Sequence, residues 1–387
     1  VENTALMPWI ATTVFLHTSR IEERTGRWRR WNVMFASLPF ALTVMGVYLT
    51  RSGVTGSIHS FAEDPVVGRI LLGSAVLIGL IVAVVASRSQ PGEPWGTLRL
   101  DRSGWQAVNA LLLTAALVFV TAGSGYPAFA SVFFDEAVAI DTRFFVMTVL
   151  PIAVAIAIGL TLALRRGAIA HVLVTVFLAL SSVVVVGFEV GVLLIAPALA
   201  SIIFIGFGIW SRRPRAGLLT AHLAHLGMAL FLVGVAGSAF GGDFTGSMMP
   251  GETVEVAGHE ITLVGVDTGE GDRYQFVRAH FSVDGAALAP EIRAYEDQTL
   301  PVAEPALRST PGGDVIVAMS LLFPDGDTVG VSVFVRPLVW LVWVGAIVIG
   351  LAGLFALVSK DGAAAGLRRS ATAGPRREGT TSETASR

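Results

Sequence analysis

The sequence predicts an all-α polytopic membrane protein of about nine transmembrane helices, with a small antiparallel β domain inserted on the outer side. Three observations carry that prediction. Hydrophobic residues make up 53% of the 387, and charged residues only 14%, against about 25% charged in an average soluble domain. Arginines gather in alternate loops between apolar stretches. One segment, 240–335, interrupts the apolar pattern with strongly acidic, β-branched sequence.

A membrane-crossing helix needs roughly 17–25 mostly apolar residues. Such windows lie near 3–19, 32–50, 66–87, 105–123, 143–164, 168–186, 190–210, 216–239 and 336–358. The first is short and begins at Val1 without an initiator Met, so the chain is expected to lack an N-terminal portion. Only Gly187, Phe188 and Glu189 separate 168–186 from 190–210, which predicts a tight helical hairpin. The expected division is a helical bundle over 1–239 with an outer loop at 51–65, a β domain over 240–335, a last transmembrane helix over 336–358, and a tail over 359–387.

Orientation follows from Arg and Lys in short loops, which stay in the cytoplasm. Arg20, Arg24, Arg27, Arg29 and Arg30 follow the first window; Arg88, Arg99 and Arg102 follow the third. Then come Arg165 and Arg166, Arg212, Arg213 and Arg215, and in the tail Lys360, Arg368, Arg369, Arg376 and Arg377. One topology satisfies all five groups. It places 51–65, 124–142 and 240–335 outside a bacterial inner membrane and the C-terminus in the cytoplasm.

In 240–335 Asp and Glu outnumber Arg by more than three to one, and Lys is absent. Glu252–Val256, Glu260–Val266 and Val331–Val335 alternate or run β-branched, and Pro324-Asp325-Gly326-Asp327 signals a hairpin. The acidity suits either a basic partner surface or a solvated face. Residues 360–387 are small, polar and basic without periodicity, as in a disordered tail. The chain has no cysteine, which excludes disulfides, Cys-ligated zinc and thiolate attack by its own residues.

Seven histidines occur. His17 lies in the first window, and His222 and His225 lie one turn apart in the eighth, hence on one face. Ionisable groups inside spans are costly and usually functional, and imidazoles from two helices are what a low-spin haem b takes as axial ligands. The alternative is a hydrogen bond to a neighbouring helix. At 1.5 Å per residue, His222 stands roughly 10 Å and His225 roughly 15 Å from Arg215, and this depth favours His222 as partner of His17. His171 is a weaker candidate. His59 lies in a Gly-rich outer loop, and spacing alone says nothing more of it.

Four segments together resemble the CcmF/NrfE family of cytochrome c haem lyases. Val1–Trp9 is similar to the sequence just after that family's tryptophan-rich motif. Arg51–Val54 with Ser57–His59 and Asp64-Pro65 is similar to its outer haem-ligand loop. Ala224–Gly227 is similar to its late transmembrane His motif, and Pro337–Trp340 with Trp343 to its last span. The resemblance runs through almost the whole chain and weakens in the outer domain.

The resemblance implies that His17 and His225 ligate a resident haem b, with His222 as the alternative to His225. It implies that His59 is one of two outer histidines gripping a substrate haem. The tryptophan-rich motif and the other outer His would precede Val1, so the lyase is expected to be incomplete in this fragment. The implied reaction adds two apocytochrome c thiols across the haem vinyl groups, with thiolate attack promoted by positioning. No catalytic acid or base is assigned. Arg51 and Arg69 flank the His59 loop and suit haem propionates or lipid phosphates. Expected partners are apocytochrome c, a haem chaperone, apocytochrome-binding and thiol-reducing maturation subunits, and the bilayer; no nucleic acid is expected. The rival readings are a haem or small-molecule transporter, which predicts inverted repeats, and a quinol-linked b-type electron carrier.

Overall fold

The computed structural model describes residues 2–51, 65–89, 102–134, 159, 168–186, 190–212, 216–238, 240–296, 301–323 and 326–358. Among them the chain forms α1 (Glu2–Thr25), α2 (Arg29–Arg51), α3 (Pro65–Arg88), α4 (Arg102–Phe134), α5 (Ala168–Val186), α6 (Val190–Arg212) and α7 (Ala216–Ser238). Ten strands and a last helix, α8 (Trp340–Val358), follow. The expected window 143–164 lies, save residue 159, outside the described residues, as do the loop 52–64 and the tail 359–387.

Five helical stretches among the described residues are long and apolar enough to cross a membrane: Arg29–Thr50, Val66–Arg88, Gly104–Ala130, Leu218–Ser238 and Trp340–Val358. The stretches Ile169–Ser181 and Ile195–Ser211 are apolar but shorter. The molecule is a membrane protein carrying a β domain, and five of the about nine helices expected from sequence meet that length and composition among the described residues.

Two boundaries differ from expectation. The helix expected at 105–123 runs on as α4 to Phe134. Gly123, Ser124 and Gly125 read as a loop in sequence, because Gly costs about 1 kcal/mol in a helix. Here Ala128 and Ala130 are buried on the same helix, and that packing outweighs the propensity. The last span begins at Trp340, because Val335 and Pro337 are paired as strand with Gly242 and Gly313.

The chain divides into two compact units, Val1–Ala168 and Ile169–Arg387. In the first, α1 packs on α2 and α4 through Met7, Ile10, Val14, Phe35 and Leu117. Arg30 Nε donates to Ser89 O at 3.1 Å, tying the start of α2 to the end of α3. In the second, α7 packs on both α6 and α8.

The β domain is two antiparallel sheets. The first has the order β1-β10-β9-β8 (Gly242–Met248, Val329–Pro337, Gly313–Leu322, Ala306–Thr310). The second has the order β2-β3-β4-β6-β7 (Thr253–Val256, His259–Gly271, Tyr274–Val283, Glu291–Tyr295, Val302–Glu304), with β5 (Ala286–Leu288) on β4. Side chains alternate between faces along a strand. Val315, Val317 and Met319 of β9, Val331, Val333 and Val335 of β10, and Ile261, Leu263, Phe281 and Val283 form the buried layer between the sheets. Ala257-Gly258 and Asp284-Gly285 both take positive φ, as two-residue hairpin turns require.

The Asp284 turn also binds charge. Asp284 accepts from His259 Nδ1 at 2.7 Å, from the Glu260 amide at 2.9 Å, and from Arg308 at 2.9 Å. These donors, His259 first, hold its carboxyl below the usual range. Burial pushes the Glu291 carboxyl up, but hydrogen bonds from Arg293 and Arg278 outweigh burial and hold it low as well. The unfolded values are about 3.9 for Asp and 4.3 for Glu. Both groups therefore stabilise the sandwich fully above those values, and the contribution is lost as pH falls through the lower folded-state values. Hydrogen exchange on the full protein is expected to show β4 and β6 equally protected from pH 7 to pH 5, with protection falling only in more acidic solution. Loss of protection already on going from pH 7 to pH 5 would assign the lability to histidine instead.

Candidate functional site

His17 stands on α1 beside the buried stripe Met7, Ile10, Val14 and Ile21, and is half-buried. Its Nδ1 lies 2.8 Å from Thr13 O. A carbonyl only accepts, so Nδ1 carries the proton, and in the neutral ring the lone pair falls on Nε2. On α7 the same arrangement occurs twice: His222 Nδ1 donates to Leu218 O at 2.6 Å and His225 Nδ1 to Ala221 O at 2.7 Å. In each case a helix carbonyl four residues back sets the ring's tautomer and orientation. Metal-ligating imidazoles need such a hydrogen bond at the other ring nitrogen, which fixes the tautomer.

His171 is built differently. It is fully buried, and its Nε2 lies 2.9 Å from Ser201 Oγ. Ser201 spends its only proton on Pro197 O, at 2.7 Å, so its oxygen accepts and His171 donates from Nε2. Its ring also meets Phe204 edge-on, with centroids 5.8 Å apart. His171 is thus the hydrogen-bonded pin between α5 and α6 that the bland reading of an intramembrane His predicts.

His222 and His225 differ in what they face. A Cβ built on Gly208 of α6 would lie 3.9 Å from His222 Nε2, so His222 packs against the α6 backbone at a position without a side chain. The opposite side of α7 carries Gly227 and Gly234, seven residues apart and therefore on one face. There α8 approaches so closely that a Cβ on Gly227 would lie 2.8 Å from Gly345 O, and one on Gly234 would lie 2.6 Å from the Val342 amide. Both imidazoles accordingly turn away from α8.

Near His17, Asn32 of α2 is buried and donates to Thr18 O at 3.3 Å and to Glu22. This fastens the α1–α2 turn, where Gly26 and Trp28 take positive φ. Arg51 ends α2, and the exposed Arg69 lies in the first turns of α3, at the same end of that packed pair. His59 lies outside the described residues, as do the groups that the loop would bring beside it.

A family model described as the CcmF C-terminal beta-sandwich matches residues 242–337, the whole of the two-sheet domain. CycK of Rhizobium meliloti (strain 1021), a cytochrome c-type biogenesis protein, is 30% identical over 92% of this chain and 58% of its own length. CcmF of Pseudomonas aeruginosa is 28% identical over 93% of this chain and 60% of its own. The chain belongs to the CcmF/NrfE family. NrfE of Haemophilus influenzae is 26% identical over 92% of this chain and 60% of its own. A solved structure of the cytochrome c haem lyase CcmF shares the fold, with a TM-score of 0.67 at 20% identity, covering 92% of this chain and 59% of that one. The chain thus spans about three-fifths of the length of the CcmF/NrfE relatives it matches.

Sequence reasoning missed Ser201, Gly208 and the glycine contact between α7 and α8. The seven-residue spacing of Gly227 and Gly234 signalled the last of these. Nothing in the sequence near His171 points to Ser201, 30 residues away.

Proposed function

We propose that this chain is part of a haem lyase of cytochrome c maturation, holding haem at the membrane and promoting thioether attachment to apocytochrome c on its outer face. The observation that carries this reading is the shared tautomer of His17, His222 and His225. Each donates Nδ1–H to its own helix, which makes Nε2 the lone-pair nitrogen of the neutral ring, the type of donor that haem iron takes. By the chemistry of its donors the set suits a resident haem b, which His17 and His225, or alternatively His222, would hold. Such a haem, when bound, supplies one-electron reduction.

The remaining roles belong to this chain's own residues. His59 orients the substrate haem until the apocytochrome's His replaces a ligand. Arg51 and Arg69, at the outer end of α2 and α3, pair with its propionates. In the reaction each cysteine sulfur bonds one vinyl carbon and the thiol proton goes to the other, so no external oxidant or reductant is consumed. The chain's contribution is positioning, which removes much of the entropic barrier. The sandwich stands on the periplasmic side with the C-terminus in the cytoplasm. Its acidic surface suits a basic apocytochrome or maturation subunit, and a membrane-tethered haem chaperone delivers the haem.

The test is a reduced-minus-oxidised visible spectrum of the detergent-purified protein expressed from its whole gene. A b-type spectrum is expected, lost in His17→Ala and in either His225→Ala or His222→Ala, and kept in His171→Ala. A spectrum that survives all four changes, or one lost equally in His171→Ala, would overturn the ligand assignment.

A further inference from the structure

The passage from α7 into β1, and from β10 into α8, is where the β sandwich meets the membrane helices. Both links are short: residues 239–241 join Ser238 to Gly242, and Leu338 and Val339 join Pro337 to Trp340. Glycines are dense here, which in sequence reads as a flexible tether. In the fold they serve close packing instead.

Gly241 lies against the Val335 carbonyl with no room for a Cβ. A Cβ on Gly237 would meet the Leu338 side chain at 3.0 Å, and one on Gly313 the Arg336 carbonyl at 2.5 Å. The β8–β9 turn closes over the junction: the Leu338 amide donates to Gly312 O at 3.2 Å. Arg336 pairs with Asp243 across β10 and β1, and its guanidinium lies 5.2 Å from the Phe334 ring centroid. Below the junction, α7 and α8 are in backbone contact at Gly227, Gly234 and Gly345. Pairing is therefore continuous from the sheet β1-β10-β9 into the helix pair.

We infer that the sandwich, α7 and α8 form one rigid lever, so that a load on the sandwich moves the helix carrying His222 and His225. Its functional meaning rests on the ligand reading above, whereas the rigidity does not. His225 lies 13 residues before Ser238, about 20 Å along the helix, and a helix transmits displacement over that length without needing side-chain relays. A partner docking on the sandwich could thereby change the setting of an axial imidazole that it never touches.

These 387 residues contain no cysteine, so once any cysteine elsewhere in the full protein is replaced by serine, only introduced thiols take a label. In the full protein, spin labels are placed at Glu260→Cys on the sandwich and Leu354→Cys on α8, both exposed positions. Pulsed dipolar spectroscopy is expected to give one narrow distance distribution. Inserting Gly-Ser-Gly-Ser after Ser238 and again after Pro337 is expected to widen it by about 10 Å, the spread of a four-residue flexible linker. A distribution already that broad without the insertions overturns the lever, as does one that the insertions leave unchanged. Neither readout involves haem, so failure of the ligand assignment is read separately, from the histidine variants.

Discussion

Replacing Gly345 by leucine is expected to separate α7 from α8 and to cost about 3 kcal/mol or more, at the top of the overpacking range. A Cβ at this position would lie 2.5 Å from both Gly227 O and the Phe231 amide nitrogen, and 2.8 Å from Phe231 Cα. These are backbone atoms, so no rotamer change relieves the clash and the helices must part. Between membrane helices, association depends on close packing rather than on the hydrophobic effect, so little compensates for the lost contact. The same helix supplies the control. Gly350 and Gly353 have nothing within 4 Å of a built Cβ, and Gly350→Leu or Gly353→Leu is expected to be near neutral. Thermal aggregation of the detergent-solubilised variants checks both. Equal melting of Gly345→Leu and Gly350→Leu would remove the glycine crossing as the basis of the α7–α8 pair. Because α7 carries His222 and His225, Gly345→Leu is also expected to disturb any ligand bound there.

Glu291→Ala is expected to destabilise the sandwich by about 2–3 kcal/mol, the scale of hydrogen bonds to charged groups. Glu291 is 7% exposed although it lies on a sheet face, because two arginines cover it. Arg278 Nε donates at 2.7 Å and Arg293 Nε at 2.8 Å. The arginines in turn lie over aromatic rings, Arg278 4.4 Å from the Phe276 centroid and Arg293 4.9 Å from that of Tyr274. A guanidinium is not deprotonated in proteins, so both charges stay in place when Glu291 is gone. What remains is two cations on adjacent strands, with Asp267 at 4.0 Å and Glu304 at 3.6 Å as lesser partners. Their one-third exposure lets water offset part of the loss, which keeps the figure below that for a fully buried pair. Glu291→Gln retains the shape and an acceptor and should fall between wild type and alanine. Hydrogen exchange in β4 and β6 reads the order; an alanine variant with unchanged protection would make the cluster ornamental.

Family membership was legible in short motifs spread along the sequence. The tautomers were not legible. His171, His222 and His225 all read as intramembrane histidines, and only the position of an acceptor separates the pin from the candidate ligands: Ser201 Oγ for the first, and a carbonyl four residues back for the others. The preference between His222 and His225 drew on depth and on motif, which pointed opposite ways. The fold adds that His222 packs against Gly208, a neighbour on a helix that the sequence does not align with it.

The sequence by itself determined the membrane class, the places of the helices α3, α5, α6 and α7 to within two residues at each end, and the acidic domain inserted before the last span. These follow from hydropathy and from period-two alternation, which are local properties of the chain. Tertiary structure decided where β10 yields to α8, since pairing with Asp314 and Gly313 holds Arg336 and Pro337 in the strand, inside the window where the last span was expected to begin. It decided that α4 continues through Gly123 and Gly125, that Glu291 is buried, and that Gly227, Gly234 and Gly345 bring two backbones into contact. Each of these depends on atoms distant in sequence, whose pairing and close packing contribute more than the local propensity they override.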